Sequence, residues 1–218
     1  MSSIVSDVAP RTFDVRHLQL ARALFAAIAA VMITFSSDHS ALVGVTVFSG
    51  WAMATSLVLL LSAWLVFPAG GRWQTVLLGV VTLAAGLVGS FPTLRTTAVF
   101  FVLVIAWALV SGALELFFGI AGRRRGDDQA RDALLIGALT LALALGLLLV
   151  NPAYALDYFV RDADQSFTLT GITIGVGLFG GYAAMVAVFL GIAGFSPRRP
   201  VPSAVEAPAS RESAGGAA

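Results

Sequence analysis

Composition, unbroken apolar runs and the placement of arginine together predict an all-α membrane protein, a six-transmembrane-helix bundle of three similar helix hairpins. Of the 218 residues, 58% are hydrophobic and 11% charged, and the mean hydropathy is +0.92. Soluble domains carry roughly 25% charged residues. In hydrocarbon a spanning backbone must satisfy its own hydrogen bonds, which leaves helices or a closed barrel. Barrel strands alternate apolar and polar residues over about ten positions. Residues 99–110 and 133–150 are instead apolar on every face, a helix pattern.

A span requires about 20 apolar residues to cross roughly 30 Å of hydrocarbon. Residues 1–17 form a polar, arginine-bearing lead-in to the first span, 18–35, which stops at Ser36-Ser37-Asp38-His39-Ser40. The second span, 41–67, ends at Pro68-Ala69-Gly70-Gly71-Arg72, and the third, 73–91, at Phe91-Pro92-Thr93. The fourth, 96–121, runs into Gly122 and the arginines that follow it. The fifth, 133–150, stops at Asn151-Pro152, and a longer loop leads to the sixth, 167–195. Glycine, proline and short polar residues at these junctions are turn chemistry. The tail, 196–218, is rich in Pro, Ala and Ser, has no apolar period and reads as disordered.

Cytoplasmic flanks collect positive charge. An inside N-terminus places Arg11, Arg16, Arg22, Arg72, Arg123, Arg124, Arg125, Arg131, Arg198, Arg199 and Arg211 in the cytoplasm and leaves Arg95 and Arg161 outside. That asymmetry requires an even number of spans and both termini cytoplasmic. A signal peptide is the competing reading of the first span, since a basic segment precedes an apolar run ending in small residues near Ser37. Arg22 interrupts the hydrophobic region such a signal needs.

Internal echoes group the spans. Phe117-Phe118-Gly119-Ile120-Ala121-Gly122 recurs as Phe189-Leu190-Gly191-Ile192-Ala193-Gly194, and Trp51-Ala52-Met53 is echoed by Trp107-Ala108-Leu109. Gly86 precedes Pro92 by the interval that separates Gly146 from Pro152. The repeat unit is a helix pair, and repeats two helices apart keep one orientation, so a symmetry axis would lie along the membrane normal.

Glu115 is the acidic residue deep in a span, about eight positions or roughly 12 Å of helix rise from Arg123. A carboxyl group at that depth costs about 2.5–3.5 kcal/mol on insertion scales, so it should face the bundle, be paired or carry a proton. Arg22 lies at comparable depth in the first span and is the natural counter-ion. A structural ion pair and a proton-coupled site both fit. The outer surface carries Asp38, His39, Asp157, Asp162 and Asp164, candidate pH-responsive groups that would gain positive charge on acidification; a solvated loop rich in Asp is the commoner explanation. The glycine-rich sixth span, with Gly171, Gly175, Gly177, Gly180 and Gly181, permits close helix approach, within the bundle or to a second copy or a membrane-protein partner. No span carries a recurring polar face, so a wide aqueous channel is not expected.

Cysteine is absent and all thirteen basic residues are arginine, which removes thiol and lysine chemistry. Two histidines, His17 and His39, are too few and too far apart for a histidine-based metal cluster. Phosphate-cradling loops, HExxH and nucleophile motifs are missing. No metal, cofactor or nucleic-acid partner is therefore expected, and the chain reads as non-enzymatic, with the lipid bilayer as its surroundings. Arg123 to Arg125 is shorter than the four to eight basic residues of a lipid-binding switch and reads as a topogenic signal.

Six helices, an arginine early in the first span, and W-A-L-V-S-G-A-L-E-L-F-F-G-I-A-G-R-R from Trp107 to Arg124 resemble the HdeD-like family of six-helix bacterial inner-membrane proteins. The likeness covers most of 18–195 and rests on the Trp-to-Glu segment and Arg22. It implies a non-enzymatic, stress or acid-resistance related protein. The sixth span has Ala187 where the repeat would place an acid, and the loop before it is longer than a minimal hairpin. A small proton-coupled transporter using Glu115, and an accessory subunit of a larger membrane complex, are the alternatives.

Overall fold

The computed structural model describes residues 13–67, 71–127, 129–160 and 164–196. Asp162, Arg161, most of the N-terminal lead-in and nearly all of the tail lie outside the described residues. Six helices follow in order: α1 Val15–Thr34, α2 Ala41–Leu65, α3 Arg72–Ser90, α4 Thr97–Arg124, α5 Ala130–Leu149 and α6 Gly171–Phe195. Each is long and apolar enough to cross a membrane. Hydroxyl side chains start the even helices: Ser40 accepts from the Val43 amide, Thr96 from Val99 and Thr170 from Thr173. Such caps satisfy amides that have no carbonyl one turn back. Proline follows α3 two residues beyond its end, at Pro92, and α5 three residues beyond its end, at Pro152.

The expectation of an all-α chain needs one correction. Two strands, β1 Ala155–Val160 and β2 Gln165–Thr170, form an antiparallel hairpin between α5 and α6, with Tyr158 opposite Phe167 and Leu156 opposite Leu169. The sixth span thus starts at Gly171, four residues later than the apolar run suggests. Phe167 and Leu169 alternate with Ser166, Thr168 and Thr170, a period of two that belongs to a strand. Smaller shifts occur elsewhere; α4 continues to Arg124 and α5 begins at Ala130.

The helices close into a ring in chain order, with tight pairing of α2 with α3, α4 with α5, and α6 with α1. Two of the three pairs are hairpins; the third joins the last helix to the first. Each pair is an even helix followed, around the ring, by an odd one. The buried positions repeat accordingly. On the even helices they are Phe48, Trp51, Ala52, Thr55 and Leu59 in α2, Val104, Trp107, Ala108, Ser111 and Glu115 in α4, and Phe179, Tyr182, Ala183, Val186 and Leu190 in α6. The spacing is identical in all three. On the odd helices Ala23, Ala26, Ala29, Ala30 and Ile33 match Gly79, Thr82, Ala85, Gly86 and Gly89, and Gly137, Thr140, Leu143, Ala144 and Leu147.

This register revises two of the echoes. It places Ala183, not Gly180, beside Ala108, and Leu190, not Ala187, at the position of Glu115, so the Phe-Phe-Gly-Ile-Ala-Gly match is three residues, nearly one turn, out of phase. Gly86 aligns with Ala144 rather than Gly146. The Trp51–Trp107 correspondence is in phase.

Candidate functional site

The even helices meet at the centre of the ring through an aromatic triangle. Ring centroids of Trp51 and Trp107 lie 5.1 Å apart, those of Trp51 and Tyr182 6.2 Å, and those of Trp107 and Tyr182 6.1 Å. Phe48 and Phe179 pack edge to face beneath them on the side away from the arginine-rich helix ends, their centroids 5.5 Å apart. With Phe100, Val104 and Val176, all fully buried, they plug that half of the bundle.

Polar partners from the odd helices hold two corners of the triangle. Trp107 Nε1 donates to Thr82 Oγ1 of α3 at 3.3 Å, and Tyr182 Oη is 3.0 Å from Thr140 Oγ1 of α5. At the corresponding position α1 carries Ala26, and Trp51 Nε1 is buried without a partner. Ala26→Ser is expected to restore the third hydroxyl and raise stability by about 1 kcal/mol, read as a higher unfolding temperature in mild detergent. An unchanged or lower temperature would mean that the repeat does not extend to this corner.

One turn further toward the arginine-rich end the repeat breaks again. Leu59 and Leu190 on the even helices, and Leu78 and Ile136 on the odd ones, are buried apolar side chains. Glu115 and Arg22 occupy the two remaining places in this layer. Arg22 Nη2 donates to Glu115 Oε1 at 3.1 Å, and the side chains are 18% and 8% exposed. This is the ion pair found among the described residues. It joins α1 to α4, helices that pack mainly on other neighbours.

Two cavities meet at this pair. One, about 480 Å³, is a vestibule at the arginine-rich end, walled by Gln19, Trp73, Gln74 and Asp132 and ending at Arg22 and Glu115. Gln19 Nε2 donates to Asp132 Oδ2 at 2.6 Å across its wall, tying α1 to α5. The other, about 20 Å³, lies between the pair and the triangle and is lined in part by Trp51, Thr55, Thr82, Ser111 and Tyr182. Buried oxygen or nitrogen atoms of Thr55, Ser111 and Arg22, besides Trp51, have no hydrogen-bond partner.

The absence of a polar face from any single span concealed the vestibule, because several helices each contribute one or two polar residues to it. Thr55, Thr82, Ser111 and Tyr182 also escaped notice as single hydroxyls in apolar runs. A signal was present: Gly79-x-x-Thr82-Leu83-Ala84 in α3 recurs as Gly137-x-x-Thr140-Leu141-Ala142 in α5.

The outer groups are not gathered. Asp38 is exposed and accepts from the amide and hydroxyl of Ser40 within its own turn. His39 is half-buried beside it. Asp157 on β1 accepts from Thr168 across the hairpin, and Asp164 turns the hairpin tip with a φ of 48°. No hydrogen bond or ion pair among the described residues links the two groups. Nor do three His, Asp or Glu side chains among the described residues gather to hold a metal ion. Compared with known proteins, the chain matches no family model, no curated protein and no solved structure.

Proposed function

We propose that the chain is a small proton-coupled transport or permeation protein of the bacterial inner membrane, with the arginine-rich end and both termini cytoplasmic. Glu115 carries the exchanged proton and Arg22 is its counter-ion. The observation that carries this reading is the position of the pair at the inner end of the vestibule. A purely structural pair would be enclosed by helix packing, whereas this one meets a space large enough for several waters, a cavity needing roughly 10–15 Å³ for one. The aromatic plug closes the opposite half, as an inward-open state requires. An acidic group within a span marks a proton or ion path by default.

In liposomes carrying the full chain, an acid-side pH step should drive proton flux that Glu115→Gln abolishes while the protein stays folded. Equal flux in both proteins would sink the proposal.

The bridge from α1 to α4 favours a second reading, consistent with the HdeD-like resemblance: a non-enzymatic stress-related bundle in which the pair is a clamp. A second copy or a larger membrane complex would meet α6 at Gly177 and Gly181, where the space beyond each glycine is open. Gly175 and Gly180 face inward, against Phe100, Phe101 and Ile33.

A further inference from the structure

Two departures from the threefold repeat fall in the same sector. Ala26 stands where the other odd helices offer Thr82 and Thr140, and Arg22 and Glu115 stand where the equivalent positions of the other helices are apolar. The 20 Å³ cavity lies between them. Four of its lining residues carry a buried polar atom with no partner: Arg22 Nε, Trp51 Nε1, Thr55 Oγ1 and Ser111 Oγ. Trp51, Thr55 and Ser111 are more than nine-tenths buried.

Indole and guanidinium N–H groups only donate, while a hydroxyl donates or accepts. Donation is the capacity all four share. They come from three helices, α1, α2 and α4, so the set exists only in the assembled bundle. The space admits one guest about the size of a water molecule. A carboxylate or phosphate is too large for it.

We propose that this cavity binds a single halide-sized anion, taken up together with a proton on Glu115. The proposal rests on the reading of Glu115 as the proton carrier and names what travels with that proton. Arg22 and Glu115 together are neutral when both are ionised. An anion added beside them places a second negative charge next to the carboxylate, in surroundings that screen it poorly. One proton on Glu115 restores neutrality and frees Arg22 to face the anion. The vestibule reaches Glu115 and Arg22 from the arginine-rich end and serves as the entry for both.

The charged and titratable groups facing Glu115 are few. Arg22 comes from α1 and Tyr182 from α6, with Asp132 of α5 and Arg125 and Asp127 of the α4–α5 turn further out in the vestibule. From α2 and α3 the facing side chains are Thr55, Leu59, Leu78 and Thr82, none of which titrates.

The test uses the full chain in nanodiscs, exchanging gluconate for fluoride, chloride or bromide. Tryptophan fluorescence and unfolding temperature should respond to at least one halide. Calorimetry in two buffers of different ionisation enthalpy should show one proton taken up per anion. Affinity should fall about tenfold per pH unit where Glu115 is ionised in the free protein. Thr55→Val and Ser111→Ala should each weaken binding by about tenfold while leaving the unfolding temperature in gluconate unchanged. Glu115→Gln should bind without proton uptake and without pH dependence. Bromide anomalous scattering in the wild-type cavity decides the site independently of any variant.

No halide response at any pH would overturn the proposal and leave the cavity to water. Binding that survives both hydroxyl substitutions, or an anomalous peak only at surface arginines, would overturn it too. Halide binding without proton uptake would reject the coupling. Loss of proton flux in Glu115→Gln, with no halide binding by wild type, would retain the proton role and remove the anion.

Discussion

Leucine at either Arg22 or Glu115 alone is expected to destabilise the bundle by about 3–5 kcal/mol, and leucine at both to leave it at wild-type stability or about 1–4 kcal/mol above. Each single substitution strands one charge in a low-dielectric layer, where the surviving partner has no other counter-ion among the described residues. The double substitution completes an existing pattern. Leu59 and Leu190 already occupy the positions equivalent to Glu115, and Leu78 and Ile136 those equivalent to Arg22, each under one-tenth exposed. Unfolding of the four proteins in mild detergent measures the coupling directly, since contacting residues deviate from additivity. Additive losses would show that the 3.1 Å contact carries no interaction energy. A stable double variant that has lost proton flux would mean the pair is kept for transport, because the fold does better without it. A stable double variant with normal flux would leave both charges without a role in transport.

Helix number was legible because lipid imposes a length and composition that few other structures share. Among the described arginines, Arg16, Arg22, Arg72, Arg123, Arg124, Arg125 and Arg131 lie at one end of the bundle and Arg95 at the other. The pairing scheme was harder to read. Apolar runs such as 133–150 have no polar face to orient them, so their inward side became visible only as the repeated burial of Gly137, Thr140, Leu143, Ala144 and Leu147. The strand hairpin was missed because a hydropathy window sums Phe167 and Leu169 without regard to the alternation between them. Arg22 and Glu115 stood out singly as charges in apolar runs. The hydroxyls and indole around them did not, because their roles depend on which helix corner lacks a partner.

Alanine at Gly137 is expected to cost about 3 kcal/mol, the upper end of the penalty for overfilling a packed site, and to reduce proton flux. A Cβ there would lie 2.7 Å from the Leu116 amide nitrogen, 3.0 Å from the Gly112 carbonyl oxygen and 3.1 Å from Glu115 Cβ. Two of these neighbours are backbone, which cannot turn aside as a side-chain tip can. Relief therefore requires α4 and α5 to separate, and the element displaced is the turn that carries Glu115. Gly119 repeats the contact further along, where an added Cβ would be 2.9 Å from the Leu134 amide nitrogen. The small residues of this hairpin thus position the carboxylate as well as packing two helices. Gly181→Ala is the matched comparison: nothing lies near its outward face, and alanine favours a helix by about 1 kcal/mol. Unfolding temperature should fall in Gly137→Ala and hold or rise in Gly181→Ala. Flux should fall only in the former, even below the unfolding transition. If Gly137→Ala lowers stability but transports normally, the close α4–α5 contact supports the fold without setting the position of Glu115.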